Sequence, residues 1–262
     1  MAEVRELAKL AVDLAARAVE IHRQSFGRVR EVGTKSSVTD MVTEVDHAAE
    51  RAIVEVLRRE RPDDAILAEE EARDSGTSGV RWVIDPLDGT TNYIYGYPAF
   101  AVSIGIEVDG RRAAGVVQDS RSGDLFVGIR GEGATMNGEK ICVRAQADLA
   151  TSLVATGFLP QPEQRARLGR IVAHVLPRVR DIRRGGSAAL DLCGVACGRV
   201  DAYYEIGLGA WDVAAGALIA ELAGADVRLI TMEGGPSPLT IAASPALAEP
   251  LLDLLREAGA FT

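Results

Sequence analysis

The 262 residues are 47% hydrophobic and 26% charged, an ordinary globular composition that excludes a disordered or low-complexity chain. The formal net charge of -9 argues against a nucleic-acid partner bound through its phosphates. The first residues are charged and lack the apolar core of a signal peptide, and no run of 18 apolar residues follows. We therefore expect a cytoplasmic protein that contacts neither nucleic acid nor membrane.

The first part of the chain predicts two amphipathic helices joined by a polar loop. Apolar side chains recur at helical spacing from Glu3 to Ser25. The stretch Val32–Met41 is interpreted as a loop, and its Lys35 could reach a phosphate or a metal. A second helix is predicted from about Val42 to the residue before Pro62. Its first turn holds Asp46, for which a helix-dipole role and a site role both remain open.

Two predicted strands then end in acidic side chains. One short apolar run ends at Glu69, and a second, Trp82–Ile84, ends at Asp85 and Asp88. Because Pro86 biases Asp85 toward an extended backbone, we expect a sharp turn that aims both aspartates at one place. Close carboxylates repel each other unless a proton or a cation intervenes, and magnesium prefers oxygen ligands. The pattern therefore predicts a magnesium site at this strand end.

The residues that follow are suited to binding an anion. Gly89 allows close backbone approach, and Thr90, Thr91 and Asn92 are residue types that begin helices. Backbone amides at such a helix start can face a phosphate. An ordinary helix cap explains the same residues, so the short motif alone is weak evidence.

The rest of the chain changes from strands alone to strands alternating with helices. Turn residues after Gly96 separate short strands and predict an antiparallel meander. From Ser152 onward the pattern is typical of an α/β layer. The turn Gly185-Gly-Ser-Ala-Ala189 either offers amides to a ligand or merely starts a helix. Glu205 ends a strand, and Asp212 lies in the first turn of a nearly apolar helix, as a cap or as a site carboxylate.

Five segments match, in order and spacing, those of the inositol monophosphatase family, which the chain resembles over essentially its whole length. They are Lys35-Ser36-Ser37, Val42-Thr-Glu-Val-Asp46, Leu67-Ala-Glu-Glu70, Trp82-Val-Ile-Asp-Pro-Leu-Asp-Gly-Thr-Thr-Asn92 and Trp211-Asp-Val-Ala-Ala-Gly216. The resemblance implies an α+β fold, a layered α-β-α-β-α sandwich of the inositol monophosphatase and fructose-1,6-bisphosphatase type. It also implies a single domain, 1–262, with helices and an antiparallel sheet up to about residue 145 and an α/β half from about 146.

The same resemblance implies roles for individual residues. A first magnesium would be held by Glu69, Asp85 and the backbone carbonyl of Leu87, and a second by Asp85, Asp88 and Asp212. Thr90, with Glu69 and Asp46, would orient the water that attacks phosphorus in line, without a phosphoenzyme.

On the substrate side, the resemblance places the phosphate on the backbone amides of Gly89 and Thr90. Asp88, Glu205 and the backbone of Ala188 would contact substrate hydroxyls. Lys35 would lie on a mobile loop that completes the site.

The implied activity is magnesium-dependent hydrolysis of a small polyol phosphate, with inositol 1-phosphate the leading substrate, commonly by a homodimer. Relatives in the same superfamily act on histidinol phosphate, fructose 1,6-bisphosphate or 3'-phosphoadenosine 5'-phosphate, and these substrates remain alternatives. A non-catalytic regulatory or binding protein of the same fold is the alternative of another class. It would be expected to lose at least one of the acids, and all of them are present.

Overall fold

The computed structural model describes residues 2–29, 32–35, 39–231 and 238–261. The α-helices of this part are α1 (Ala2–Ser25), α2 (Glu44–Glu60), α3 (Thr90–Tyr95), α4 (Pro162–Val175), α5 (Ala188–Ala196), α6 (Ala210–Leu222) and α7 (Pro245–Glu257). The strands are β1 (Val32–Thr34), β2 (Met41–Thr43), β3 (Ala65–Ala68), β4 (Arg73–Asp74), β5 (Val80–Asp88), β6 (Ala101–Val108), β7 (Arg111–Asp119), β8 (Leu125–Ile129), β9 (Gly133–Met136), β10 (Glu139–Lys140), β11 (Leu153–Thr156), β12 (Asp181–Arg183), β13 (Ala202–Ile206), β14 (Asp226–Ile230) and β15 (Leu239–Ala243).

The larger sheet has eight strands in the order β10-β9-β8-β7-β6-β5-β3-β4. Its strand pairs are antiparallel apart from β3 and β5, which run parallel. The antiparallel meander predicted after Gly96 is confirmed, whereas the antiparallel sheet expected up to about residue 145 is wrong at the pair β3 and β5. The chain leaves β3, returns along the sheet edge as β4 and crosses over, so that β5 enters in the same direction as β3.

The smaller sheet has five strands in the order β12-β11-β13-β15-β14. Strand β11 is parallel to both β12 and β13, whereas β15 is antiparallel to β13 and β14. Parallel neighbours need a crossover connection, which α4 and α5 provide between these strands. The alternation of strands and helices predicted from Ser152 onward is confirmed.

The prediction that Val32–Met41 forms a loop is wrong at both ends, where the structure has short strands. Strands β1 and β2 pair there in antiparallel register, with Val32 opposite Thr43. Residues 36–38, which include the predicted motif serines Ser36 and Ser37, lie outside the described residues. Three-residue strands carry too little alternation to be recognised in a polar sequence.

The helices and sheets form five layers. Helices α1 and α2 share one buried core with the face of the larger sheet that carries Ile104 and Val116. Helices α5 and α6 pack between the sheets, against Val117 on one side and Tyr203 on the other. Helices α4 and α7 cover the outer face of the smaller sheet, which carries Tyr204. The predicted layered α-β-α-β-α sandwich is confirmed.

Helix α6 lies very close to the larger sheet, and this contact positions Asp212. A Cβ atom added to Gly105 would lie 2.5 Å from the Cβ of Ala214, and one added to Gly115 would lie 2.9 Å from the Cα of Ala215. Glycines in β6 and β7 and alanines in α6 therefore allow the backbones to approach. The start of α6 is thereby brought beside the end of β5.

None of the described helices is both long enough and apolar enough to cross a membrane.

Candidate active site

Three aspartates converge where the end of β5 meets the start of α6. Asp85, Asp88 and Asp212 each bring one carboxylate oxygen to within 4.8 Å of the others. Strand β5 continues through Pro86 to Asp88, with a register shift against β6 between Asp85 and Asp88. The expected sharp turn between these two acids is therefore wrong, because a β-bulge brings their side chains together within the strand.

Burial and mutual repulsion raise the pKa values of this cluster. Burial first, and then the charges of Glu69, Asp88 and Asp212, raise the pKa of Asp85 well above its ordinary value. Burial is the largest cause that raises the pKa of Asp88 to about 6 and that of Asp212 well above the ordinary value. Such a set of carboxylates needs protons or a cation to balance its charge. Its oxygen donors fit a hard divalent cation.

The aspartates are held in place by the helix starts that face them. Asp88 accepts hydrogen bonds from the hydroxyl of Ser187 at 2.5 Å and from the backbone amide of Ala189 at 2.8 Å. Ala188, predicted to contact substrate through its backbone, lies between these two residues at the start of α5. Asp212 accepts a hydrogen bond of 2.6 Å from the amide of Gly209.

Thr90 and Asp46 are also brought together beside the cluster. The Thr90 hydroxyl lies 2.8 Å from a carboxylate oxygen of Asp46 and 3.1 Å from the carbonyl oxygen of Leu87. The other Asp46 oxygen accepts from the amide and the hydroxyl of Thr43, at 2.9 and 2.6 Å. Asp46 thus takes part in the capping box of α2 and at the same time accepts a hydrogen bond from Thr90. Burial raises the pKa of Asp46 above its ordinary value.

Glu69 follows β3, and its amide donates to the carbonyl of Ile84 at 3.0 Å. Its carboxylate accepts from the ammonium of Lys35 at 2.8 Å, and Lys35 also pairs with the carboxylate of Glu70. Burial alone would lower the pKa of Lys35, but the neighbouring charges of Glu69 and Glu70 raise it. The charge of Glu69 is also among the causes that raise the pKa of Asp85. Lys35 therefore contacts the acids that adjoin the cluster.

Glu205 lies in β13, and its carboxylate accepts from the hydroxyl of Tyr203 at 2.6 Å. Burial is the largest cause that raises the pKa of Glu205 to about 7, and the charge of Asp88 is a smaller one. A Cβ atom on Gly157 would lie 2.0 Å from this carboxylate. The glycine therefore leaves the space that Glu205 occupies.

An open cleft of about 910 Å³ lies at this site. Glu69, Gly89, Thr90 and Arg184 are among the residues that line it. Gly89 has φ = 95°, a left-handed conformation that favours glycine, and it starts α3 directly after Asp88. The cleft is large enough for a small phosphorylated substrate.

Three polar side chains near the site were not singled out from the sequence. They are Glu50 in α2, Ser187 at the start of α5, and Asp191 within α5. Ser187 is a residue type that is favoured at helix N-caps, and Asp191 is the one acid of an otherwise apolar helix. Both features are visible in the sequence, but each is only a weak indication of a site. Burial, followed by the charges of Glu205 and Asp88, raises the pKa of Asp191 well above its ordinary value.

The layered fold is that of solved inositol monophosphatases, among them the Thermotoga maritima enzyme, which superposes with a TM-score of 0.88 at 31% identity, over 97% of this chain and 98% of that one. The sequence model of the Inositol monophosphatase family matches residues 3–259. The chain therefore belongs to the inositol monophosphatase family, a family of metal-dependent phosphatases.

Individual relatives cover nearly the whole chain. A Mycobacterium tuberculosis protein named Inositol-1-monophosphatase SuhB is 42% identical, over 97% of this chain and 94% of its own length. A Pasteurella multocida protein named Nus factor SuhB is also 42% identical, over 94% of each chain. The crystal structure of the extragenic suppressor protein suhB from Bartonella henselae superposes with a TM-score of 0.89 at 35% identity, over 96% of this chain and 99% of that one.

Proposed function

We propose that this protein hydrolyses the phosphate monoester of a small polyol, with magnesium as its cofactor and inositol 1-phosphate as its substrate. The observation that carries the proposal is the convergence of three aspartate oxygens within 4.8 Å of one another, beside the Thr90–Asp46 hydrogen bond. Glu69, Asp85 and the carbonyl of Leu87 would hold one cation. Asp85, Asp88 and Asp212 would hold a second.

Uncatalysed hydrolysis of phosphate monoesters is among the slowest of biological reactions. Divalent cations bound here would lower the pKa of water and would balance negative charge on the phosphate and on the leaving oxygen. The Thr90 hydroxyl, held by Asp46, and the carboxylate of Glu69 orient the attacking water. The backbone amides of Gly89 and Thr90 donate hydrogen bonds to the phosphate oxygens.

The polyol is bound on the side of the cleft that faces α5 and β13. Glu205, fixed by Tyr203, and the backbone of Ala188 contact the substrate hydroxyls, together with Asp88. Lys35 completes the site from the opposite side, where it contacts Glu69. A homodimer is the expected assembly, and light scattering of the purified protein would establish it.

The substrate is tested by measuring phosphate release from four compounds, with and without magnesium. They are inositol 1-phosphate, histidinol phosphate, fructose 1,6-bisphosphate and 3'-phosphoadenosine 5'-phosphate. We expect magnesium-dependent release, fastest from inositol 1-phosphate, and its loss in a folded Asp88→Asn variant. Faster release from another of the four compounds would identify that compound as the substrate instead. No release from any of them would contradict the proposed activity.

A second, non-catalytic role is favoured by the name Nus factor SuhB that a 42% identical relative carries. The same Asp88→Asn variant separates the two roles, because it removes catalysis and leaves the protein surface nearly unchanged. A binding role predicts that the inactive variant still restores growth in a strain lacking the protein. Failure of the variant, together with rescue by the unchanged protein, would assign the growth function to catalysis.

A further inference from the structure

Glu50 on α2 is a buried carboxylate whose partners all belong to one turn of the backbone. The residue is 4% exposed. One of its oxygens accepts from the amides of Glu71 and Ala72 at 2.9 and 2.8 Å, and the other accepts from the amide of Glu70 at 2.9 Å. The turn that Glu50 binds directly follows Glu69, and the side chain of Glu69 interacts with Asp85 of the acid cluster.

At this position, glutamate can accept hydrogen bonds from all three backbone amides, whereas glutamine, which has the same length, cannot. The two oxygens of the carboxylate are acceptors only, whereas a glutamine has one acceptor oxygen and an NH₂ group that would face a backbone N–H. Hydrogen bonds from backbone amides to a charged carboxylate are also stronger than those to a neutral group. The charge of Glu50 is therefore matched to the turn that it binds.

The turn is fixed on its other side by the larger sheet. The amide of Glu69 donates to Ile84 in β5 at 3.0 Å, and the amide of Ala68 donates to the carbonyl of Ala72 at 2.9 Å. Glu50 therefore adds support from α2, beside the Arg73 guanidinium, which donates to the carbonyl of Glu69 at 3.0 Å, and the Lys35 ammonium, which contacts Glu69 and Glu70. Without Glu50, the three amides of the turn would lose their acceptors, and the backbone that carries Glu69 would be freer to shift.

Helix α2 supports both groups that are expected to orient water. Glu50 lies one helical turn after Asp46, so the two side chains share a face of α2. Asp46 accepts from the hydroxyl of Thr90, and Glu50 accepts from the turn that follows Glu69. The same helix face thus contacts the two elements that bring Thr90 and Glu69 to the cleft.

We propose that Glu50 is a positioning residue that holds Glu69 in place as a metal ligand. The inference rests on the proposed function, because it takes Glu69 to bind a divalent cation. Residues that orient metal ligands from behind typically change metal affinity by about 10- to 100-fold when they are replaced. Glu50→Gln should weaken cation binding by that factor.

The test uses Mn²⁺, a cation that also prefers oxygen ligands and whose free concentration is measured by electron paramagnetic resonance. The variant is Glu50→Gln, and the matched control is Glu55→Gln, an exposed glutamate on the same helix. Backbone amide exchange at Glu70, Glu71 and Ala72 is measured in the same proteins without metal. We expect weaker Mn²⁺ binding and faster exchange at these amides for Glu50→Gln, with neither change in the control.

Wild-type Mn²⁺ affinity in a folded Glu50→Gln variant would overturn the inference, and so would equal weakening in the control. If Glu50→Gln does not fold, Glu50→Asp takes its place, because it keeps the charge but shortens the reach of the carboxylate. If the unchanged protein binds Mn²⁺ but releases no phosphate from any substrate, the proposed function fails while Glu50 can still be judged from affinity. If the unchanged protein binds no Mn²⁺, both are overturned.

Discussion

The Thr90 hydroxyl lies 2.8 Å from a carboxylate oxygen of Asp46, although 44 residues separate the two in the chain. Because the second Asp46 oxygen is held by Thr43, the carboxylate cannot turn away from Thr90. A hydroxyl that donates to a fixed carboxylate keeps its lone pairs available as acceptors. In the proposed reaction, Thr90 would therefore accept a hydrogen bond from the attacking water molecule.

Replacing Thr90 by alanine should lower kcat for phosphate release by about 10²- to 10⁴-fold, the range associated with the loss of a positioned proton-transfer group. The magnesium concentration for half-maximal rate should change little, because the acid cluster is left intact. Thr90→Ser is the matched control, since it keeps the hydroxyl and should retain most of the activity. An alanine variant with the kcat of the unchanged protein would show that the Thr90–Asp46 pair has no part in the reaction.

The raised pKa of Asp88 predicts how the stability of the metal-free protein depends on pH. Asp88 keeps its proton up to about pH 6 in the folded state, whereas the unfolded chain loses it near 3.8. The folded state therefore binds more protons between these values, and the free energy of unfolding falls as pH rises through this window. A shift of this size corresponds to about 3 kcal/mol at most.

Thermal unfolding in a chelator should therefore show Tm falling by roughly 5–10 °C between about pH 4 and pH 7. Saturating magnesium should remove most of this fall, because the cation balances the same carboxylate charge. Asp88→Asn is the control and should be more stable than the unchanged protein at pH 7 without metal. A chelated protein whose Tm rises over this pH range would contradict the burial of uncompensated acids at the site.

Gly157 gives a test of the substrate side of the cleft. The side chain of alanine at this position would meet the Glu205 carboxylate at 2.0 Å, so the carboxylate must move. We expect Gly157→Ala to raise KM for the polyol phosphate about tenfold, which corresponds to 1.4 kcal/mol of lost binding. The magnesium dependence should be unchanged.

Gly194→Ala is the control for this substitution, because a Cβ atom there would make only an ordinary contact, 3.4 Å from a side-chain carbon of Val200, and α5 favours alanine over glycine. The readout is the pair of values KM and kcat for both variants. An unchanged KM in Gly157→Ala would show that Glu205 does not contact the substrate.

The sequence allowed the acid cluster to be located because apolar runs that end in acids are a local pattern. Asp85 and Asp88 were found in this way, whereas Asp212 was recognised as the acid in the first turn of a nearly apolar helix, and the structure brings the three together. What the pattern could not show was the bulge in β5, because proline was expected to break the strand between Asp85 and Asp88.

The contacts of Glu50 could not be predicted from local sequence patterns either. Its partners are backbone amides 20 to 22 positions away, and an acid on an exposed-looking helix position has no signature of burial. The parallel pairing of β3 and β5 was missed for a similar reason, since strand direction depends on how the chain crosses the sheet edge. Periodicity identifies elements, whereas their partners depend on the tertiary structure.

The central claim is that the carboxylates at the end of β5 and the start of α6 bind the divalent cation needed for hydrolysis. The most direct test is phosphate release from inositol 1-phosphate by chelator-treated protein while magnesium is added back. We predict no release without the cation, recovery on addition, and no recovery in a folded Asp212→Asn variant. Equal rates with and without magnesium, or full recovery in Asp212→Asn, would contradict the account.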